Sequence, residues 1–381
     1  MKALIIGCGI GGPTTAIALR EVGIDAEIFE SYPDGAEGVG SFLNIASNGL
    51  GALRELGAHR EVMAAGIPTP QMVMWSGTGK RLGAVANGLA LEDGTVSHTI
   101  LRSDLYRVIR GAATSRGIPI SYGKRLVSFE ETADRVTARF DDGTEATGDL
   151  LIAADGVHSV TRHALDPHAP SARYSGLYSF GGIVRDAGMT GEPGVYHMVF
   201  GKRAFFGYTV AASGETWWFA NLPRRLGDVP DDWKPALIEA FQDDDNGSAD
   251  LIRNSPVELA LPVFDLPPVP TWHRGRVVLT GDAAHATSPS SGQGASMAVE
   301  DAIVLARCLR DSESHTAAFT RFERERRARA ERIVAYSRTI SNSKAAGPVA
   351  RVFRDLMMPF FLKKTASQES LAWMYRHQVS L

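Results

Sequence analysis

The run Gly7-Cys8-Gly9-Ile10-Gly11-Gly12 narrows the folding of this chain more than any other stretch, because an apolar segment precedes it and a helical pattern follows it. Ala3 to Ile6 reads as a buried parallel strand, Pro13 to Val22 as a helix, and Ala26 to Phe29 as the next strand, ending at Glu30. Pro13 suits a first helical turn, where its missing N–H would have no partner anyway. In that setting Gly7 makes a tight turn, Gly9 lets the backbone approach a pyrophosphate, and Gly12 lets helix and strand pack closely. The helix N-terminus adds free N–H donors and partial positive charge. Glu30 stands 21 positions after Gly9, where a carboxylate accepts both hydroxyl protons of an adenosine ribose. A glycine turn that merely packs is the plainer alternative, but it has no need of an acidic residue in register. The unit therefore predicts a bound dinucleotide, with FAD and NAD both open. Cys8 occupies an unspecified place in the turn and reads as inert packing.

Beyond residue 30 the chain alternates between two patterns. Asn48 to Leu56 and Arg102 to Arg116 read as helices, while Asp149 to Ala154 and Arg276 to Thr280 read as further buried strands. Between them Met72 to Ile100 reads as antiparallel hairpins broken by Ser-Gly, Thr-Gly, Asn-Gly and Asp-Gly turns, Arg125 to Phe140 as a hairpin closed by Asp142-Gly143, and Tyr174 to Leu222 as aromatic-rich strands. A long Arg/Glu-laced helix is expected from Ala317 to Ile340, with its mixed charges on a solvated face. The predicted fold is α/β: a Rossmann-like domain interleaved with a β-sheet substrate domain, plus C-terminal helices. Its segments are 1–71, 98–165 and 272–345 for the first domain, 72–97 and 166–271 for the second, and 346–381 for the C-terminal helices. At 381 residues, two interlocked domains are the natural arrangement. A net charge of −3 gives no electrostatic reason to expect nucleic acid or an anionic membrane. Two cysteines cannot make a disulfide framework or a zinc cluster by themselves, and no apolar run is long enough to span a bilayer. Glycines break the apolar N-terminal run after Ile6, so a cytoplasmic location is expected.

Two more motifs follow. Gly281-Asp282-Ala283-Ala284-His285 ends a strand and continues to Pro289-Ser290-Ser291-Gly292-Gln293-Gly294, which opens the helix Ala295 to Leu309. Backbone N–H groups there suit a partial negative charge, although an ordinary strand end and helix cap would look the same. Ala153-Ala154-Asp155-Gly156, with Ser159 and Arg162 beyond, reads by itself as a strand and turn. In this order and spacing, and with Leu101-Arg102-Ser103-Asp104-Leu105, the motifs resemble the single-component FAD-dependent monooxygenases of the p-hydroxybenzoate hydroxylase type. That group includes salicylate-hydroxylase-like and tetracycline-destructase-like enzymes.

The resemblance runs from Met1 to about Ile340 and implies bound FAD, transient NADPH or NADH, and O2. It implies that oxygen passes, through a flavin C4a-hydroperoxide, to an aromatic or polyketide-like small molecule. It assigns cofactor contacts to Gly7, Gly9, Gly12, Glu30, Arg102, Leu126, Asp155, Asp282, Pro289, Gly292, Gly294 and Ala295. His285 then stands behind the cofactor rather than donating a proton. The chain departs from the family pattern at Ala154, at Ser296 where asparagine is frequent, and at Phe180-Gly181-Gly182 where many relatives carry Trp-Arg-Gly. No second glycine motif and no thioredoxin-like C-terminal domain are expected, and the assembly is a monomer or a homodimer.

The substrate wall is expected from Phe180, Met198, Phe206, Tyr208, Trp217 and Phe219, about half of them facing inward because strands alternate. No catalytic residue is assigned; His197 and Tyr208 are candidate bases, though either is more often a structural residue. The apolar segment Phe353 to Leu362 reads as docking between domains, or else as a lid or peripheral membrane contact. An epoxidase, a Baeyer–Villiger enzyme, a dehydrogenase or a non-catalytic binding protein remain alternatives on the same scaffold.

Overall fold

The computed structural model describes residues 1–35, 41–185, 189, 191–257, 259–344, 348–365 and 368–381. Residues 36–40 of the expected glycine-containing loop, and 346–347 and 366–367 of the C-terminal segment, lie outside the described residues.

The first strand, Lys2–Ile6, is an inner strand of a six-stranded sheet. Across the sheet the order is His273–Arg274, Val277–Leu279, Leu150–Ala153, Lys2–Ile6, Asp25–Glu30 and Ile120–Tyr122. Every neighbouring pair is parallel except the outermost one, His273–Arg274 with Val277–Leu279. Ala3, Leu4 and Ile5 are fully buried, as are Leu150, Leu151 and Ile152. Covering on both faces explains why these strands read as continuous apolar runs rather than alternating ones. The helix Gly294–Asp311 packs against both Gly11–Glu21 and Ser47–Glu55. Its approach to the second of these is close. A Cβ on Gly49 would meet Ser296 Oγ at 2.4 Å, so position 296 has room for a small side chain.

A seven-stranded sheet forms the other half. Its order is Leu259–Asp265, Arg173–Val184, Thr216–Pro223, Phe205–Val210, Val195–Phe200, Gln71–Ser76 and Arg81–Ala86. All pairs are antiparallel except Val195–Phe200 with Gln71–Ser76. Because side chains alternate, this sheet has two distinct faces. One packs through Phe206 and Trp218 on Leu237 and Phe241 of the helix Trp233–Phe241. The other faces the parallel-sheet half and walls a cavity.

The long helix runs over His315–Ser343, close to expectation, but its charges are not all solvated. Arg326 is 1% exposed and binds carboxylates of Gly294–Asp311. The helix Pro348–Thr365 exposes Phe353, Leu356 and Phe360 while Met358 and Leu362 border the cavity. After it the chain returns to the parallel-sheet core, where Met374, Tyr375 and Val379 are buried. Among the described residues no helix is long and apolar enough to cross a membrane.

Candidate active site

The glycine turn is built by close approach. Gly7 has φ +104°, and a Cβ there would meet the Ala154 carbonyl oxygen at 2.4 Å. At Gly12 a Cβ would lie 1.9 Å from the Gly7 carbonyl oxygen. Gly9 is different: its nearest neighbour would be the Tyr106 hydroxyl at 3.8 Å, and Gly9, Ile10 and Gly11 border open space. Glu30 accepts hydrogen bonds from the backbone N–H groups of Cys8 (2.7 Å) and Tyr32 (2.9 Å), so its carboxylate braces the turn. Burial, with the Glu30 charge nearby, pushes the Cys8 thiol up to about 12 and leaves it unreactive.

That open space is a cavity of about 1010 Å³ between the two halves. Arg102, Tyr106, Asp282, Pro289, Gly292, Gly294 and Ala295 border it from the parallel-sheet side. Arg102 donates from Nε to the Tyr106 hydroxyl at 2.8 Å. Asp282 opens to the cavity, and no described residue donates a hydrogen bond to it. The enclosing walls desolvate its carboxyl and raise its pKa above the usual range. The 18-residue helix Gly294–Asp311 aims its N-terminus at the same space. This donor set fits FAD: open backbone at Gly9, a cation at Arg102, a carboxylate awaiting hydroxyl donors at Asp282, and a helix N-terminus for a developing negative charge. Among the described residues no group of three His, Cys, Asp or Glu is arranged to hold a metal.

Gly7, Gly12, Glu30, Leu126 and Asp155 do not themselves border the cavity, although Ala154 and Gly156 on either side of Asp155 do. Leu126 begins a strand, Leu126–Glu131, and its side chain is buried in the core. Asp155 Oδ2 accepts from the backbone and hydroxyl of Thr161, tying the turn to the helix Val160–Leu165, and its Oδ1 is buried without a partner.

On the opposite wall, three of the six expected side chains border the cavity and three do not. Met198 and Phe219 border the cavity. Phe180 borders it too, but its ring packs on Trp233 on the far face of the sheet. Phe206 lies on that far face, stacked on Trp218. Tyr208 stacks on His197 at 4.5 Å, and His197 Nδ1 accepts from Trp75 Nε1 at 3.1 Å, so neither candidate base reaches the cavity. Trp217 packs on Phe42 rather than lining the space. Met72, Met74, Tyr196, Phe200, Phe205 and Asn221 do line it and were not singled out by sequence reasoning. Tyr196 and Phe200 share the face of the expected Met198, and Asn221 that of the expected Phe219; only on Phe205–Val210 was the expected phase off by one. Gly181 lies where a Cβ would meet Ser41 Oγ at 2.3 Å, so an arginine on this strand position has no room.

Behind the cofactor side sits a buried ionic network that sequence reasoning also missed. Asp301 accepts from the Gly281 N–H (2.9 Å), from Arg326 Nε (2.7 Å), and lies 2.6 Å from His285 Nε2. Burial opposes its charge, but His285 and Arg326 outweigh that and hold the carboxyl well below the usual range. Glu300 is paired with Arg326 and Arg329 and accepts from Asn48 Nδ2. Asp301 therefore holds the turn from which Asp282 projects.

A family model described as the FAD binding domain matches residues 1–337. The chain belongs to this FAD-binding family. It is 34% identical over 341 residues to the aurachin C monooxygenase/isomerase of Stigmatella aurantiaca, with 88% of each chain covered. It is 30% identical over 343 residues to the FAD-dependent urate hydroxylase of Klebsiella pneumoniae, with 86% of each covered. The structure of Klebsiella pneumoniae HpxO with FAD and uric acid superposes with a TM-score of 0.87 at 26% identity, covering 98% and 97% of the two chains. As a member of the FAD-binding family this chain is an FAD-dependent monooxygenase, a hydroxylase that uses NAD(P)H as reductant.

Proposed function

We propose that the chain hydroxylates an electron-rich aromatic or polyketide-like small molecule held between FAD and the seven-stranded sheet. The observation that carries this reading is the continuity of the cavity, which joins Gly9, Arg102 and Asp282 on one side to Met72, Met198 and Phe219 on the other. When bound, FAD supplies hydride acceptance from NAD(P)H and the delivery of one oxygen atom from O2. Substrate, O2, NAD(P)H and a proton then give hydroxylated substrate, water and NAD(P)+.

The chain's own part is binding, orientation and exclusion of water. Gly9 would bring backbone against the pyrophosphate, in a turn that Gly7 and Gly12 close, with Arg102 beside it. Glu30, which accepts from the Cys8 and Tyr32 N–H groups and the Ser31 hydroxyl, would take the adenosine ribose with the lone-pair capacity that remains. Asp282 would accept hydroxyls of the ribityl chain, and Pro289 with Gly292, Gly294 and Ala295 would lie beside the isoalloxazine ring. Methionine and aromatic side chains form an apolar wall, which favours a flat, apolar ring over a small polar substrate. Two buried free cysteines fit a chain that works in the cytoplasm.

The test begins with the absorbance spectrum of the purified protein and anaerobic NADPH. Flavin bands that bleach and return with oxygen are expected. A substrate panel under labelled O2 then follows. A single labelled hydroxyl on an aromatic product supports the reading, whereas an epoxide or ring-expanded product overturns hydroxylation. A protein that takes up no FAD overturns the enzyme itself.

A further inference from the structure

Lys344 ends the long helix and reaches across to the seven-stranded sheet, where it borders the cavity. Its Nζ donates to Asn221 Oδ1 at 2.9 Å. It also sits 4.4 Å from the ring centre of Phe205 and 5.7 Å from that of Phe219. Asn221 is held in turn: its Nδ2 donates to Ser179 Oγ at 3.2 Å, which turns its Oδ1 toward the lysine. Among the residues whose side chains are described, no carboxylate lies within ion-pair distance of Lys344, and only Asn221 accepts a hydrogen bond from it. An ammonium has three donors, so two remain for a ligand. Enclosure without a counter-charge pushes this ammonium down to about 7. The cation thus stands over an aromatic and methionine wall that contributes no other charge.

A cation kept in an apolar wall without an anionic partner is costly unless something else brings the anion. The plainer account is a strap in which the lysine merely pins the helix end to Phe205 and Phe219. That account leaves two donors unused and gives no reason for Asn221 to be oriented by Ser179.

We propose that Lys344, set in place by Asn221, is the substrate-orienting cation of the cavity and selects aromatic or enolic substrates that carry an acidic hydroxyl. The substrate oxygen takes a free N–H of Nζ as the phenolate or enolate. The same ion pair forms whether the hydroxyl proton passes to the neutral amine or the ammonium meets an anion already formed. Either route raises electron density on the ring that receives oxygen. This inference rests on the hydroxylase reading for its purpose, but binding can be measured without turnover.

The experiment titrates the oxidised, FAD-loaded protein with bicyclic and tricyclic hydroxyarenes, each beside its own methyl ether, and follows the flavin absorbance. Wild type is expected to prefer the hydroxyl member of a pair by about tenfold or more, the size of a charge-assisted hydrogen bond. Lys344→Met keeps the length and apolar stem. It should retain FAD and bind the ethers as before, with the preference gone. Lys344→Arg should keep part of it. Unchanged preference in the Lys344→Met protein overturns the assignment, and so does a wild type that binds no hydroxyarene or does not discriminate. A lower melting temperature with preference intact assigns the lysine to the strap instead. If binding and discrimination are as expected but labelled oxygen enters no product, the hydroxylase reading fails while the binding role stands.

Discussion

Single side chains decide how the cofactor cradle closes. Gly12 has no room for even one methyl group, because the nearest atom is backbone and cannot swing away. Gly12→Ala should therefore abolish bound flavin, read as loss of visible absorbance per protein in a chain whose far-ultraviolet circular dichroism is retained. Asp282→Asn removes a charge that nothing in the protein neutralises directly. FAD binding should weaken by about tenfold while the melting temperature of the FAD-free protein stays unchanged, since Asp282 opens to the cavity and takes no hydrogen bond from a described residue. Both residues were readable from their motifs, because backbone proximity and strand ends leave fixed spacings. Phe206 and Tyr208 were misread for a reason of equal clarity. On a strand, a one-residue change of phase exchanges the faces, and nothing in the aromatic run states which face meets the cofactor.

Helices and strands are coupled through charges that their own sequences do not announce. Glu300 and Asp301 are neighbours on one helix, and Arg326 and Arg329 share another, so each pair alone looks like ordinary surface patterning. Packing brings them together out of water. Arg326→Met leaves two buried carboxylates short of a counter-ion and should cost about 3–5 kcal/mol, seen as a lower melting temperature and loosened FAD binding through the Gly281 turn. The acid limb carries the same signature. Burial opposes the Glu300 charge, but Arg326 and Arg329 bring its folded value down to about 2 against an ordinary 4.5. Its contribution is thus full above about pH 4.5 and fades as pH falls toward 2. In Arg326→Met the folded value rises back toward 4.5, so this acid-dependent part of the stability should shrink, measured as a flatter dependence of unfolding free energy on pH between 4.5 and 2.

The two halves are built from alternating stretches of chain, and the C-terminal segment ties them at the rim. Sequence reading caught this alternation, since apolar runs near residues 3, 150 and 277 shared one character and the stretches between them another. It did not foresee that Leu371, Trp373 and Tyr375 would border the cavity, because their packing depends on Arg329 donating to the carbonyls of Trp373 and Met374. Truncation after Ser370 removes the buried Met374, Tyr375 and Val379. It should cost about 5 kcal/mol and speed FAD release, followed by differential scanning fluorimetry and flavin fluorescence.

The parallel sheet also imposes a timetable on synthesis. Lys2–Ile6 leaves the ribosome before the other strands of its sheet, yet its neighbour on one side is Leu150–Ala153, and that strand's own outer neighbour is Val277–Leu279. At roughly 5–20 residues made per second, the last of these appears on the order of 15 to 50 seconds after the first. Throughout that interval an apolar strand edge stands bare on a nascent chain, open to chaperones and to wrong partners alike. Crowded polysomes and fast initiation are therefore the conditions under which this protein should be lost to inclusion bodies.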